Sequence, residues 1–274
     1  YLAQELAIPL SIREFTKEFD SVGGADPTRL DIELILAHTL EKPREWIIAH
    51  PEHLLSESEE ASSRQAVIRR KNNEPLAYLT SEKEFYGRSF FVTPDVLIPR
   101  PETEQMIELV KKYAKSQPKI LDVGTGSGCI GITLTKEIPD SIVTISDISD
   151  SALSVAQKNS MRIGSKVTSL KSDLLDNIDS KFDIVVANLP YVGKSWAVSP
   201  ETAFEPELAL FAEDDGLALI KKLIIQSPKN LNSKGLLVLE LDTRQINETI
   251  KFAESHNFSA LEKLPFSLAL LYDF

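Results

Sequence analysis

The chain has 274 residues, of which 42% are hydrophobic, 7% aromatic and 26% charged, so it can bury the core of one large domain or of a large and a small one. No run of about 18 or more apolar residues occurs, which excludes a membrane-spanning helix, and the single cysteine excludes an internal disulfide and indicates a cytoplasmic location. The net charge of −11, with an acidic balance in both the first 80 residues and the remainder, argues against direct nucleic-acid binding.

The first part of the chain, residues 1–75, is predicted to form a small helical domain. The dipeptide Asp26-Pro27 has the pattern of a helix start, with an acidic N-cap followed by proline in the first turn. Ser56 and Glu59 have the spacing of a capping box, which predicts a longer helix that begins there and runs to about residue 72.

The residues that follow have a different composition. Residues 76–98 are predicted to be a linker, in which two β-rich runs, Phe85-Tyr86-Gly87 and Phe90-Phe91-Val92, flank a polar turn and indicate a hairpin. Pro99 and Pro101 then favour an extended segment. A second, larger domain is predicted over residues 99–274.

Strand-like and helix-like patterns alternate from Lys119 onward. Such alternation predicts an α/β fold with a parallel, doubly wound sheet. Two further strand-like segments close the chain with no long helix between them, which predicts an antiparallel edge on that sheet. The predicted strands are residues 119–123, 142–146, 166–170, 182–187, 235–241, 259–264 and 268–273.

A glycine-rich turn from Asp122 to Gly128 follows the first of these strands and predicts a close approach of the backbone to a ligand. The run Gly126-Ser127-Gly128-Cys129-Ile130-Gly131 also matches the dinucleotide-binding pattern G-x-G-x-x-G. Asp147 ends the next strand, where an acid that binds ribose hydroxyls belongs. A nicotinamide dehydrogenase and an S-adenosylmethionine-dependent enzyme both fit this pattern.

Two carboxylates favour S-adenosyl-L-methionine as the cofactor. Asp122 directly precedes the glycines, where it would repel a pyrophosphate but would suit the ammonium group of a methionine. Asp173 and Leu174 follow the third strand and suit the amino edge and the face of adenine, although Asp173 would also serve as a helix N-cap. The predicted cofactor-binding residues are Asp122, Gly124, Thr125, Gly126, Ser127, Gly128, Asp147, Asp173, Leu174 and Asn188.

The tetrapeptide Asn188-Leu189-Pro190-Tyr191 follows an apolar run and is predicted to lie at the carboxyl end of a buried strand. The Asn188 side-chain oxygen and the Leu189 backbone oxygen would accept hydrogen bonds from the two N–H groups of a planar amide. The lone pair of the amide nitrogen would then face a methyl group. Tyr191 would stack on that acceptor or wall it, and Pro190 would keep Leu189 extended. Taken singly, Asn188 also suits a turn and Tyr191 a core; together they predict methyl transfer to nitrogen.

No metal site is predicted, because His38, His50, His53 and His256 show no ligand spacing with cysteine or paired carboxylates. Cys129, directly behind the glycine-rich turn, suits a small packed residue at a helix start, and a thiol nucleophile is the alternative. The sequence therefore predicts a metal-free site at the carboxyl edge of the sheet.

Three segments give the chain a resemblance to a known family. They are Leu97-Ile98-Pro99-Arg100-Pro101-Glu102-Thr103-Glu104, the turn Gly124 to Gly128, and the Asn188 tetrapeptide. These segments resemble those of the HemK-type protein-(glutamine-N5) methyltransferases that modify peptide-chain release factors. The likeness extends over nearly the whole chain, including Phe204-Glu205-Pro206 after the active site.

The resemblance implies a class I, Rossmann-like methyltransferase domain over residues 99–274, behind a helical domain that helps to engage the release factor. S-adenosyl-L-methionine would be the donor and the glutamine of a Gly-Gly-Gln loop the acceptor. Residues Asn188 to Tyr191 would hold the glutamine amide. Arg100, Glu102 and Glu104 would border the mouth of the active site. We expect the protein to act as a monomer.

The chain departs from the family pattern at Leu189, which stands where the family has a proline. The backbone carbonyl is retained, but a fixed φ is lost and an N–H is added, so we expect a slower or more tolerant enzyme. Leu174 stands where an aromatic residue can occur, so we expect weaker adenine stacking. Three other functions remain open: a glutamine methyltransferase acting on a ribosomal protein, an adenine-N6 methyltransferase acting on nucleic acid, and a non-catalytic docking protein that binds S-adenosylmethionine.

Overall fold

The computed structural model describes residues 9–19 and 27–274. The chain divides between Ser81 and Glu82 into two compact units, an N-terminal helical one and a C-terminal α/β one. The functional division predicted at residues 75 and 98 stays a prediction. In the part of the chain that the structure describes, no helix has both the length and the apolar character needed to cross a membrane.

The N-terminal unit has the predicted helical character. Its described helices are α1 (Ile12–Phe19), α2 (Arg29–Thr39), α3 (Arg44–Ala49), α4 (Glu57–Lys71) and α5 (Leu76–Thr80). Phe15 and Leu36 lie in its buried core. The capping box of α4 is confirmed, because the Ser56 N–H donates to the Glu59 carboxylate at 2.7 Å and the Glu59 N–H donates to the Ser56 hydroxyl at 3.3 Å.

The start of α2 differs from the prediction. Asp26 lies outside the described residues, and the N-cap of α2 is Thr28, so the expectation of a proline in the first turn was wrong. The Thr28 hydroxyl accepts from the Asp31 N–H at 3.2 Å, and the Asp31 carboxylate accepts from the Thr28 N–H at 2.9 Å. This reciprocal pair satisfies N–H groups at the helix start and leaves Pro27 just before the N-cap.

The predicted hairpin is confirmed and belongs to the C-terminal unit, but its turn lies at Tyr86-Gly87, before the polar turn that was predicted between Gly87 and Phe90. It pairs β1 (Glu82–Phe85) with β2 (Arg88–Phe91) in antiparallel register. The two residues between them, Tyr86 and Gly87, have φ values of 50° and 69°. Positive φ at both central residues is the requirement of a type I′ turn, which suits the twist of a two-residue hairpin.

A seven-stranded sheet forms the centre of the C-terminal unit and confirms the predicted α/β fold. In chain order, the elements after the hairpin are α6 (Glu104–Tyr113), β3 (Lys119–Val123), α7 (Cys129–Glu137), β4 (Ile142–Asp147), α8 (Asp150–Ile163), β5 (Val167–Lys171), β6 (Phe182–Ala187), β7 (Val192–Gly193), α9 (Glu207–Leu210), β8 (Phe211–Ala212), α10 (Ala218–Gln226), β9 (Leu231–Glu240), α11 (Ile246–Glu254), β10 (Phe258–Lys263) and β11 (Ser267–Tyr272). Across the sheet the order is β10-β11-β9-β6-β3-β4-β5. The antiparallel pairing of β11 with β9 confirms the predicted edge.

One strand is longer than predicted. β9 begins at Leu231, four residues before the predicted start at 235, because its pairing with β6 continues through a register shift between Phe182 and Ile184. Such a bulge lets a strand extend past an irregular residue. The sequence pattern shows only the regular apolar part that follows it.

The order of strands reverses between β3 and β6. From β3 the chain adds β4 and β5 on one side, and then places β6 on the other side of β3. Such a reversal leaves a crevice at the carboxyl ends of the two strands, where open α/β sheets bind ligands. Val123, which ends β3, pairs with Ala187, which ends β6. The segments that follow these two strands therefore start side by side.

Alternate residues of the central strands feed two buried cores. Ile120 of β3 lies in the core that includes α6 and α7, whereas the next residue, Leu121, lies in the core that includes α10. Each such side chain contributes about 1.5–3 kcal/mol to the free energy of unfolding when it is fully buried. The packed sheet therefore holds the strand ends in fixed positions.

Candidate active site

A cavity of about 320 Å³ opens at the carboxyl ends of the central strands. This volume lies in the range of small-molecule sites. The glycine-rich turn and the tetrapeptide both line it, because they leave the sheet from the paired residues Val123 and Ala187. The predicted site residues in its wall are Arg100, Gly124, Thr125, Gly126, Ser127, Asp147, Asp173, Leu174, Asn188, Leu189 and Pro190.

Two glycines of the turn are required by the backbone. Gly124 has a φ of +68°, and a Cβ atom there would lie 3.0 Å from Leu189 Cδ2, so the turn and the tetrapeptide pack on each other. Gly128 has a φ of +82° and is the N-cap of α7, where a Cβ atom would lie 2.6 Å from Ile132 Cδ1. Gly128 therefore shapes the turn but does not line the cavity, although it was predicted to contact the cofactor.

The two acids predicted to bind the cofactor differ in environment. The Asp147 carboxylate accepts from the backbone N–H groups of Gly126 and Ser149, both at 2.9 Å, which fixes its orientation at the cavity edge. Carboxylate oxygens have further lone pairs for ligand hydroxyls. Asp173 is half-exposed, lies in a turn and not at a helix start, and accepts from Lys222 Nζ at 3.1 Å.

Leu174, which follows Asp173, is buried at 7% exposure and holds a left-handed backbone with φ of 49°. Residues other than glycine adopt this region at a cost of about 1–2 kcal/mol. The surrounding structure sustains that conformation and gives the cavity an apolar wall at this point.

Asp122 is fully buried behind the turn. Its Oδ2 accepts from the Thr125 hydroxyl at 2.6 Å and from the Gly131 N–H at 2.9 Å, while Oδ1 has no hydrogen-bond partner among the described residues. Burial raises the pKa of Asp122 to about 6, although these hydrogen bonds lower it. The structure therefore places Asp122 as a support of the turn, and not in the cavity wall where the predicted contact with an ammonium group would be made.

The Asn188 side chain spans from the sheet edge toward the segment before α6. Its Nδ2 donates to the Thr103 hydroxyl oxygen at 3.3 Å. An amide places its oxygen opposite its nitrogen, so this contact leaves Asn188 Oδ1 available to a ligand. Leu189 beside it is 4% exposed, since its side chain packs against Gly124.

Tyr191 departs from the prediction that it stacks on or walls the acceptor. Its hydroxyl donates to Glu240 Oε1 at 3.2 Å, and its backbone carbonyl accepts from Gln245 Nε2 at 2.8 Å. The ring packs against the core that includes α10, and Tyr191 is not in the cavity wall. Burial and the nearby Glu240 raise the pKa of Tyr191 above its usual range, so the hydroxyl stays protonated.

Glu240 is a buried acid that the sequence analysis missed. It ends β9 and is 1% exposed. Burial raises its pKa to about 7; polar interactions with Thr103, Tyr191 and Asn188 lower the pKa, and the charge of Glu102 raises it. The available sequence signal was a single acid at the end of an apolar strand.

Arg100 and Glu102, predicted together at the mouth of the site, are separated by the structure. Arg100 lines the cavity and forms an ion pair with Glu205, whose side chain is 1% exposed. The Glu205 carboxylate also accepts from the Ile98 N–H at 3.0 Å, which ties the two segments together. Glu102 is exposed and lies outside the cavity wall.

Cys129 lies in the buried core at the start of α7, as expected of a small packed residue. Burial raises the pKa of its thiol to about 12, so the thiol is protonated near neutral pH and is a poor nucleophile. Over residues 9–19 and 27–274, no group of three or more histidine, cysteine or acidic side chains is arranged to hold a metal ion.

Comparison with known proteins identifies the family. The model of the PrmC N-terminal domain matches residues 12–80, and that of the methyltransferase small domain matches residues 102–203. A release factor glutamine methyltransferase of Koribacter versatilis is 43% identical over 220 residues, which cover 78% of this chain and 79% of that protein. Another, of Leptospira interrogans, is 38% identical over 252 residues, which cover 88% of this chain and 87% of that protein. The chain belongs to the release factor glutamine methyltransferase family.

Membership of the release factor glutamine methyltransferase family confirms the resemblance and the predicted fold class. A solved methyltransferase structure from Pyrococcus furiosus, 18% identical, superposes with a TM-score of 0.53 over 77% of this chain and 98% of that one, which shows a shared fold. The chain is a methyltransferase whose donor is S-adenosyl-L-methionine. This result decides between the two cofactors that the glycine pattern left open.

The cavity fits S-adenosyl-L-methionine, the donor of this methyltransferase family. Gly126 has a φ of +53°, and a Cβ atom there would meet nothing within 4 Å, so the backbone faces open space that a ligand can approach. Asp147 offers oriented acceptor oxygens, and Leu174 offers an apolar surface. Polar groups for a ribose and an apolar wall for a base therefore occur in one cavity.

Proposed function

We propose that this chain transfers the methyl group of S-adenosyl-L-methionine to the side-chain amide nitrogen, N5, of the glutamine in the Gly-Gly-Gln loop of peptide-chain release factors. The observation that carries the proposal is that Asn188 and Leu189 leave β6 directly beside the glycine-rich turn, in one cavity. The names of the relatives, release factor glutamine methyltransferases, support the same acceptor.

The donor side is assigned to residues at the ends of β3 and β4 and after β5. Gly124 and Gly126 let the backbone approach the donor, and Asp147 accepts hydrogen bonds from its ribose hydroxyls. Asp173 and Leu174 are proposed to hold the amino edge and the face of the adenine. When bound, S-adenosylmethionine supplies a methyl carbon on a positively charged sulfur, which keeps the bonding pair as the methyl leaves.

The acceptor side orients a weak nucleophile. An amide nitrogen attacks poorly because its lone pair is delocalised into the carbonyl. Asn188 Oδ1 and the Leu189 carbonyl accept hydrogen bonds from the two N–H groups of the glutamine amide. These two bonds orient the amide so that the lone pair of its nitrogen points toward the methyl group. The new C–N bond uses that pair, and the nitrogen then loses one proton to water. Such orientation can supply several kcal/mol of the barrier, and the hydrogen bonds strengthen as the nitrogen becomes positive.

Residues around the site are proposed to receive the protein substrate. Arg100, held by the buried Glu205, is fixed at the edge of the cavity where a substrate loop would enter. The N-terminal unit, which matches the PrmC N-terminal domain over residues 12–80, is proposed to engage the release factor. A cytoplasmic location and a monomeric state are proposed with this role.

Incubation with the methyl donor and purified release factors tests the proposal. We expect the mass gain of one methyl group on the peptide that carries Gly-Gly-Gln, and none on a release factor whose glutamine is replaced by alanine. We expect Asn188→Ala to lower kcat by about a hundredfold or more, because one of the two oxygens that orient the acceptor amide is lost.

Three outcomes would contradict the proposal. Methylation of a ribosomal protein, but of no release factor, would assign the site to that substrate. Methylated adenine in nucleic acid would do the same for an adenine-N6 activity. Tight binding of the donor without turnover on any of these substrates would indicate a docking protein.

A further inference from the structure

A carboxyl group with no role in the donor or acceptor contacts lies behind the tetrapeptide. Glu240 is 1% exposed, and its Oε1 accepts from the Tyr191 hydroxyl at 3.2 Å. Its Oε2 has no hydrogen-bond partner within the ranges that the structure describes. A buried polar atom without a partner destabilises a fold, so a functional reason for this acid has to be sought.

Two further polar side chains lie near this carboxyl. Thr103 and Asn188 are both close enough to Glu240 to lower its pKa. Asn188 Nδ2 lies 3.3 Å from the Thr103 hydroxyl oxygen and donates to it. A hydroxyl has one proton and can rotate, so Thr103, which accepts from Asn188, keeps its own proton for the Glu240 carboxylate.

We propose that Glu240 is a positioning residue that acts through Thr103 to hold the side-chain oxygen of Asn188 toward the acceptor amide, an inference that rests on the proposed function. An ionised carboxylate only accepts hydrogen bonds. In this arrangement Thr103 turns its hydroxyl proton toward the unpartnered Glu240 Oε2 while its oxygen accepts from the Asn188 NH₂ group, which holds Oδ1 toward the cavity. The two ends of an amide are alike in size, so hydrogen bonding and not shape selects this orientation.

The protonation state of Glu240 then sets the direction of this hydrogen-bond chain. A protonated Glu240 donates to Thr103, and Thr103 can then donate to Asn188 Oδ1, which removes the acceptor oxygen from the substrate. The pKa of Glu240 is raised to about 7, with burial as the largest cause and the charge of Glu102 as a smaller one. The charge of Glu240 also acts on Tyr191 and Cys129, but burial raises the pKa of each, so both are neutral near pH 7. Turnover should therefore rise with pH through about 7.

Two nearly isosteric substitutions test the chain of hydrogen bonds. Glu240→Gln supplies a donor where the carboxylate accepts, and Thr103→Val removes the hydroxyl between them. We expect each to lower kcat on a release factor by about tenfold to a hundredfold, while the donor Kd changes by less than about twofold. Thr103→Ser keeps the hydroxyl and should recover most of the turnover lost in Thr103→Val.

A control separates this effect from damage to the sheet. Ser267 pairs with Glu240 across the β11–β9 ladder and has a buried hydroxyl, but it does not line the cavity. We expect Ser267→Ala to leave kcat unchanged. We also expect kcat to rise through about pH 7 in the wild type and Thr103→Ser, but to vary little with pH in Glu240→Gln.

The inference is overturned if Glu240→Gln or Thr103→Val keeps the kcat and the pH profile of the wild type. It is also overturned if either variant loses donor affinity in the same measure as turnover, because Glu240 would then support the whole cavity. A wild-type protein that methylates no release factor contradicts the proposed function instead, so the two failures are distinguishable.

Discussion

The donor half of the cavity, Gly124 to Gly126 with Asp147, and the acceptor half, Asn188 with Thr103 and Glu240, are built in different ways. In the donor half, backbone groups are held by contacts between the ends of neighbouring strands, such as the Gly126 N–H to the Asp147 carboxylate at 2.9 Å. In the acceptor half, side chains from two distant segments of the chain, at Thr103 and at Asn188–Tyr191, approach the buried carboxyl of Glu240. Substitutions in the donor half should therefore change donor affinity, and substitutions in the acceptor half should change turnover.

Beyond the loss of turnover expected of Asn188→Ala, the largest effect is expected in the donor half. A Cβ atom at Gly124 adds strain at a φ of +68° and meets Leu189 Cδ2 at 3.0 Å. We therefore expect Gly124→Ala to raise the Kd of S-adenosylmethionine by about tenfold to a hundredfold. Calorimetric titration of the donor measures this.

Gly164 offers a matched control. It has a nearly identical φ of +66°, and a Cβ atom there would meet nothing within 4 Å. It caps α8, outside the cavity wall. Gly164→Ala should lower the free energy of unfolding by about 1 kcal/mol and leave the donor Kd unchanged. Equal donor affinities in Gly124→Ala and Gly164→Ala would end the claim that the turn and Leu189 shape the donor site together.

In the acceptor half, we expect one substitution, Glu240→Gln, to raise the stability of the fold and to lower turnover. The pKa of Glu240 is raised from 4.5 to about 7 by burial, so the folded protein binds a proton more tightly than the unfolded chain between these pH values. The contribution of Glu240 to the free energy of unfolding therefore falls as pH rises from about 4.5 to about 7. Glu240→Gln carries no charge, so we expect it to be more stable than the wild type by about 1–3 kcal/mol at pH 8 and about equal to it at pH 5.

Urea unfolding at pH 5, 6.5 and 8 measures this difference, with Ser267→Ala as the comparison. Asp122 also has a raised pKa, but it is present in all of these proteins and cancels between them. A Glu240→Gln variant less stable than the wild type at pH 8 would show that the ionised carboxyl stabilises the fold, which contradicts the prediction.

The smallest effect is expected where the two halves touch. Leu189→Pro restores the residue of the family pattern, fixes φ and removes an N–H, but it also deletes the side chain that packs on Gly124. These changes oppose each other, so we expect turnover to rise by less than about tenfold. Steady-state kinetics on a release factor gives the answer, and a large loss of turnover would mean that the packing of Leu189 matters more than backbone restriction.

The sequence predicted the donor half better than the acceptor half for a physical reason. The glycine-rich turn, Asp147 and the ends of β3 and β6 are local features, which alternation and turn chemistry can locate. Glu240 is brought to Tyr191 only by the pairing of β6 with β9, which no local pattern states. The contact of Tyr191 with this acid was missed for the same reason, because the partner of its hydroxyl lies 49 residues away. Asp122 was misplaced because a sequence does not show which face of a turn a carboxylate takes.

The pairing of Val123 with Ala187 has a consequence for the reaction path. Donor and acceptor groups must come within about 3–3.5 Å of each other for methyl transfer, and one residue step along a strand is about 3.3 Å. A slip of β3 against β6 would therefore move the two reactants apart by about the whole distance over which the methyl group travels. The hydrogen-bond register of two buried strands thus sets the distance between the donor and acceptor sides of the cavity.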